Sequence, residues 1–79
     1  MIDYEQAKQI ALQRDPQVNA TMEYKAGYRF WAKPNVEGED FPVPGGPDFV
    51  VIRAGGRIVP WIEFICKYHP ERRGKKRTF

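Results

Sequence analysis

Seventy-nine residues, 42% of them hydrophobic and 14% aromatic, make one domain with one modest core; a chain this short buries roughly 60% of the surface it exposes when unfolded. A single cysteine, Cys66, excludes an internal disulfide framework and points to a reducing compartment, the cytoplasm; no run nears the ~20 apolar residues of a membrane span, and the N-terminus lacks the charged-then-apolar block of a secretory signal. The net charge of +3 is unevenly held: residues 71–79 carry five basic residues against Glu71, a balance of +4, and residues 1–70 carry eight basic against nine acidic, a balance of −1.

The first predicted element is a helix. Asp3 is a good N-cap, and Gln6 three residues on completes a capping box. Tyr4–Arg14 then gives three turns with Tyr4, Ala7, Ile10 and Ala11 on one face. Pro16 ends it, because the residue before a proline avoids the helical region. The small alanines let this helix lie close to a sheet.

From Val18 to Lys33 the even positions read Val18, Ala20, Met22, Tyr24, Ala26, Tyr28, Phe30 and Ala32, all apolar. The odd positions are polar or small except Trp31. A period of two over this length predicts extended chain with one face buried and the other wet. Sixteen residues fully extended reach roughly 50 Å, against a radius of gyration of about 12 Å for a domain of this size. The strand therefore has to bend, and Gly27 can absorb the bend. A coiled strand wrapped over the helix is the first reading; a hairpin turning at Lys25–Gly27 is the second.

Pro34 to Pro47 is a loop of four prolines and three glycines with Glu37, Glu39 and Asp40. Phe41 and Val43 are expected to tack it onto the body. Asp48 to Arg53 is a short strand whose unbroken run Phe49, Val50, Val51, Ile52 predicts a central place covered on both faces. Ala54-Gly55-Gly56 is a hairpin turn, and the chain returns antiparallel from Arg57 to about Pro60.

Beyond Pro60 two readings stay open. Ile58, Pro60, Ile62, Phe64, Cys66 and Tyr68 alternate as in a strand. Trp61, Phe64, Ile65 and Tyr68 also share a helical face, Pro60 suits a helix start, and Glu63 with Lys67 makes a favourable i,i+4 pair. The helix Trp61–Tyr68 is the preferred one. Residues 71–79 show no apolar period and are expected to be loose.

Candidate chemistry is sparse. The chain has no serine, so nucleophiles reduce to Cys66, Thr21 and Thr78. Cys66 and His69 stand three apart, but Cys66 falls on the apolar face under both readings, as a packed core thiol does. Cys66 and His69 are two potential metal ligands where a structural zinc site takes four. Glu37, Glu39 and Asp40 have neither a histidine nor a hydrophobic wall beside them to make an acid–base pair; on a stiff, protruding loop they suit docking of a basic partner. Gly45-Gly46 and Gly55-Gly56 match no phosphate-binding motif. Trp31, flanked by Arg29 and Lys33, reads either as a contact hot spot or base-stacking platform, or as a side chain covered by the Pro34–Pro47 loop. Arg72, Arg73, Lys75, Lys76 and Arg77 form the kind of basic block that touches nucleic acid.

Three features together resemble the Immunity protein 35 (YrhB-like) family of small bacterial proteins. They are the helix ahead of a long strand, the segment Gly27-Tyr28-Arg29-Phe30, and Gly45-Gly46-Pro47-Asp48-Phe49-Val50-Val51-Ile52-Arg53 followed by Gly56-Arg57-Ile58-Val59. The resemblance spans residues 4–68 and implies a non-enzymatic binder that neutralises a toxin, with a short terminal helix where Trp61–Tyr68 stands.

The sequence thus predicts an α+β domain over residues 1–70: an N-terminal helix on an antiparallel sheet of three to four strands, with a short C-terminal helix or extra strand, and a basic tail at 71–79. The expected function is non-catalytic protein binding, by a monomer or small homo-oligomer, with Arg29, Trp31, Glu37, Glu39 and Asp40 in the contact. No cofactor or metal is expected. The alternative is nucleic-acid association through Arg72–Arg77.

Overall fold

Asp3 starts the first helix, α1 (Tyr4–Arg14), as the capping box predicts. Its carboxylate accepts from the Gln6 N–H at 2.9 Å, and the Gln6 side-chain oxygen accepts from the Asp3 N–H at 3.1 Å. At the far end Asp15 is extended, one residue before Pro16, and its N–H donates to the Ala11 carbonyl at 2.9 Å. The computed structural model describes residues 1–34, 42–43 and 45–68, together with the backbone of 77–78. After α1 come β1 (Ala20–Glu23), β2 (Gly27–Trp31), β3 (Asp48–Ile52), β4 (Ile58–Pro60), α2 (Trp61–Lys67) and β5 (Arg77–Thr78). The strands form one antiparallel sheet in the order β4-β3-β2-β1-β5. The fold is α+β, with helices at both ends of the main body.

The Val18–Lys33 stretch is a hairpin and not a coiled strand. The Tyr24 N–H donates to the Gly27 carbonyl at 2.8 Å, closing a loop of Lys25 and Ala26. The register pairs Ala20 with Trp31 and Met22 with Arg29. An even residue of β1 therefore shares a face with an odd residue of β2. The alternating apolar series, which the sequence places on one face, is split between two. Ala20, Met22 and Tyr24 join Trp31, Val50, Ile52, Val59 and Phe64 in one cluster, with Trp61 and Tyr68 of the α2 segment packed against it. Tyr28 and Phe30 join Ala7, Ala11, Val18, Phe49 and Val51 in the other, beneath α1. Neither face of the sheet is left wet.

Two-residue hairpin loops favour turns that need positive φ, usually supplied by Asn-Gly or Asp-Gly. Neither Lys25 nor Ala26 has positive φ. Arg53, just past β3, holds this turn from outside. Its backbone N–H donates to Ala26 O at 2.9 Å, its Nε to Lys25 O at 3.1 Å, and its Nη2 to Tyr24 O at 3.2 Å. The guanidinium also pairs with the Glu23 carboxylate and donates to the Tyr28 hydroxyl at 2.6 Å. The Arg53 carbonyl in turn accepts from Ile2 at 3.0 Å, tying the N-terminus to the same corner.

Gly27 is required for a different reason from the one the sequence suggests. Its φ is not positive, so it supplies no special bend. A Cβ at this position would sit 2.5 Å from Val51 O and 2.9 Å from Val50 Cγ1. Glycine lets β2 lie close against β3. By contrast Gly55 (φ 95°) and Gly56 (φ 74°) do provide the left-handed backbone of the β3–β4 turn.

β3 is central, as its unbroken apolar run predicts, and Phe49, Val50, Val51 and Ile52 are all buried. The segment after Pro60 is helix, and the Glu63–Lys67 pair forms at 3.8 Å. Cys66 is a correction: it is exposed and not a core thiol. Phe64 points into the sheet, and a residue two positions on lies about 200° round the helix. Val43 ties its segment back through a backbone N–H to Ala32 O at 2.9 Å, but its side chain is exposed; Phe41 lies outside the described residues. Of the span expected to be loose, Arg77–Thr78 pair with Ala20 and Thr21; residues 71–76 and 79 lie outside the described set.

Two substitutions probe these contacts by urea denaturation. Gly27→Ala forces β2 away from β3 and lowers stability by about 2 kcal/mol, the usual cost of overpacking. Arg53→Met leaves two turn carbonyls, Tyr24 O and Lys25 O, short of donors and Glu23 without its cation, lowering stability by about 2 kcal/mol. Unchanged denaturation midpoints would refute the close approach and the clamp respectively.

Candidate functional site

Of the residues singled out from the sequence as a contact patch, the two that are described, Arg29 and Trp31, do not lie open. Trp31 is 3% exposed, inside the cluster on the α2 side of the sheet. Arg29 is held in a fork on Asp48, with Nε 2.7 Å from Oδ1 and Nη2 2.6 Å from Oδ2. The two side chains are 16% and 22% exposed. The guanidinium lies 4.9 Å from the Trp31 ring centroid and 3.8 Å from that of Trp61. It is thus sandwiched between a tryptophan of the sheet and the first residue of α2. Planar stacking and a bidentate carboxylate are what arginine does better than lysine. Trp31 is buried, but its cluster is shared with Trp61 and Phe64 on the α2 side and contains no described residue of the Pro34–Pro47 loop, under which the sequence reading would bury it.

The same aromatic layer seats α2. Trp61 stacks on Phe64 at 5.9 Å between centroids, Tyr24 meets them at 5.6 and 5.7 Å, and Phe64 stacks on Tyr68 at 5.1 Å. Arg57 donates to the Tyr68 hydroxyl at 3.0 Å. Arg29 and Trp31 therefore fix the helix in place and present no open surface to a partner.

Glu37, Glu39 and Asp40 lie outside the described residues, as do Arg72, Arg73, Lys75 and Lys76; of Arg77 only the backbone is described. The structure neither gathers them nor separates them. His69, the other half of the Cys66 pair, is likewise outside. Among the described residues no group of three His, Cys, Asp or Glu could hold a metal ion. No helix among them is long and apolar enough to cross a membrane.

A different surface stands out. On α2 only Phe64 is fully buried, while Ile62 is 72% and Ile65 42% exposed. Cys66 and Lys67 are exposed beside them. Taking Phe64 as the inward direction, Ile65, Ile62 and Cys66 fall at about 100°, 160° and 200° round the helix. They form one outward stripe. The signal was readable: Trp61, Ile62, Phe64, Ile65, Cys66 and Tyr68 leave only Glu63 and Lys67 polar in eight residues. A helix apolar on all sides needs cover on all sides, and this one has cover on one. No family model, curated protein or solved structure matches this chain.

Arg29→Lys tests the sandwich. Losing the fork and the planar stack lowers stability by about 1 kcal/mol and shifts tryptophan fluorescence to longer wavelength as Trp61 is wetted. An unshifted spectrum with full stability would show that the positive charge alone suffices.

Proposed function

We propose that this chain is a non-catalytic binding module that docks a protein partner on the outer face of α2. The observation that carries this reading is the pair Ile62 and Ile65, exposed on a helix whose only fully buried residue is Phe64. Scattered surface hydrophobes need no explanation, but adjacent ones on one rigid element mark interaction sites. Among the described residues beside it Arg57 and Lys67 are exposed, Lys67 paired with Glu63, and by sequence alone residues 71–77 carry a net +4. The partner surface is therefore apolar at its centre and acidic at its edge. The resemblance to the Immunity protein 35 family points the same way, to a toxin or enzyme neutralised by blocking its surface. Arg29 and Trp31 act in this reading by positioning α2.

Capture from a bacterial lysate on immobilised protein tests the proposal. The intact chain retains a stoichiometric acidic protein, and Ile62→Glu loses it by more than tenfold while its stability stays within about 0.5 kcal/mol, as expected for an exposed site. Retention by Ile62→Glu overturns the α2 reading. The nucleic-acid alternative has its own mark: affinity that collapses with salt and on replacing Arg72, Arg73, Lys75, Lys76 and Arg77 by glutamine, with no effect of Ile62→Glu.

A further inference from the structure

We infer that in the free protein the outer face of α2 is covered by the same face of a second copy, packed antiparallel about a two-fold axis at Ile65. The inference rests on the reading of α2 as a docking surface and names what occupies that surface before a foreign partner does. The outward stripe is Ile62, Ile65 and Cys66, all exposed. Glu63 and Lys67 fall at about 260° and 300° from Phe64, along one flank of the stripe.

The placing of those two charges selects the occupant. Glu63 and Lys67 stand at equal distances along the chain on either side of Ile65. A two-fold axis running across the helix at Ile65 reverses the second helix and keeps each flank on its own side. Glu63 of each copy then lies across from Lys67 of the other. A parallel arrangement sets the charged flank of one copy against the Trp61–Tyr68 flank of the other and forfeits both pairs. Within one helix the Glu63–Lys67 pair is loose at 3.8 Å, with the side chains 40% and 66% exposed, so both can reach outward. A foreign surface with an acidic edge matches Lys67 and opposes Glu63, whereas a second copy matches both.

The apolar stripe obeys the same symmetry. The Ile65 side chains meet at the axis, and Ile62 lies beside Cys66 of the other copy, about 3 Å from it along the helix direction. The patch is thus complementary to itself, which is what an isologous contact requires. Two helices of two turns each make a small contact, at the weak and transient end of the interface range. Self-association therefore shields the isoleucines from water and yields to a foreign partner with a larger footprint.

Nuclear magnetic resonance of the intact, isotope-labelled chain tests this, in reductant so that Cys66 forms no disulfide. From about 20 μM to about 1 mM the α2 resonances shift with concentration and translational diffusion slows toward that of a dimer, as expected of a contact this small. Glu63→Lys makes every charge at the seam positive and Lys67→Glu makes every one negative, so each variant alone stays monomeric at about 1 mM. Unlabelled Lys67→Glu added to labelled Glu63→Lys restores the α2 shifts, because each positive flank then faces a negative one. A variant that had failed to fold would not recover on mixing. A wild-type chain monomeric at about 1 mM, single variants that still dimerise, or no recovery on mixing would each overturn the second copy. A monomeric chain that still captures a partner through Ile62 overturns self-association and keeps the docking surface. A dimer whose capture of a partner survives Ile62→Glu overturns the foreign partner on α2 and keeps the second copy.

Discussion

The Arg53 side chain decides the architecture more than any other single group. It gathers Tyr24 O, Lys25 O, the Glu23 carboxylate and the Tyr28 hydroxyl at one corner, with its own backbone N–H on Ala26 O. Those contacts hold a two-residue loop lacking the glycine such loops prefer. Loop length sets the register of β1 against β2, and register sets which residues share a face. A slip by one residue would move Met22 and Tyr24 beneath α1 and turn Thr21 and Glu23 into the aromatic layer under α2. Both cores depend on that corner.

Each face of the sheet then carries one arginine with one carboxylate. Arg53 and Glu23 lie on the α1 side, and Arg29 and Asp48 on the α2 side. In both, the guanidinium lies against an aromatic ring, Tyr28 for Arg53 and the two tryptophans for Arg29. Partly buried ion pairs are weak contributors to net stability, but removing one partner is costly because it strands the other. Such pairs select an arrangement. Arg53 selects the hairpin register, and Arg29 selects where α2 lands.

Much of this was legible in the residues. The capping box, the proline stop after α1, the apolar run of β3 and the diglycine turn are local signals, and local structure follows them. The even-numbered apolar series was also read correctly as buried, with Ala26 half-buried. What could not be read was the partition of that series between two faces. Period two says which side chains point the same way within a strand, and it is silent once the chain reverses. The reversal at Lys25–Ala26 has only Gly27 at its end as a local signal, which ranks the hairpin second to a coiled strand in the sequence, because its stabilising donor comes from Arg53, 27 to 28 positions along the chain. The cover over Arg29 and Trp31 could not be read for the same reason. Arg29 and Trp31 look like an exposed cation–aromatic pair only if their face is open, and the hairpin puts that face under α2.

The exposure of Ile62 and Ile65 follows from how α2 covers its face of the sheet. A sheet with apolar groups on both faces needs two covering layers, and the described residues supply one three-turn helix and one two-turn helix. The longer helix covers its face with alanines that let it lie close. The shorter one has to fill its face with Trp61, Phe64 and Tyr68, leaving few positions to spare. Solubility alone would place charges at the outward positions, as the Glu63–Lys67 pair on the flank illustrates. Isoleucines at 62 and 65 are not part of the core cluster, which Phe64 enters with Trp61 and Tyr68 packed against it, and the hydration of their exposed surface is unfavourable in the free protein. Their presence is accounted for if the second layer is itself only half of a sandwich whose outer half is another protein.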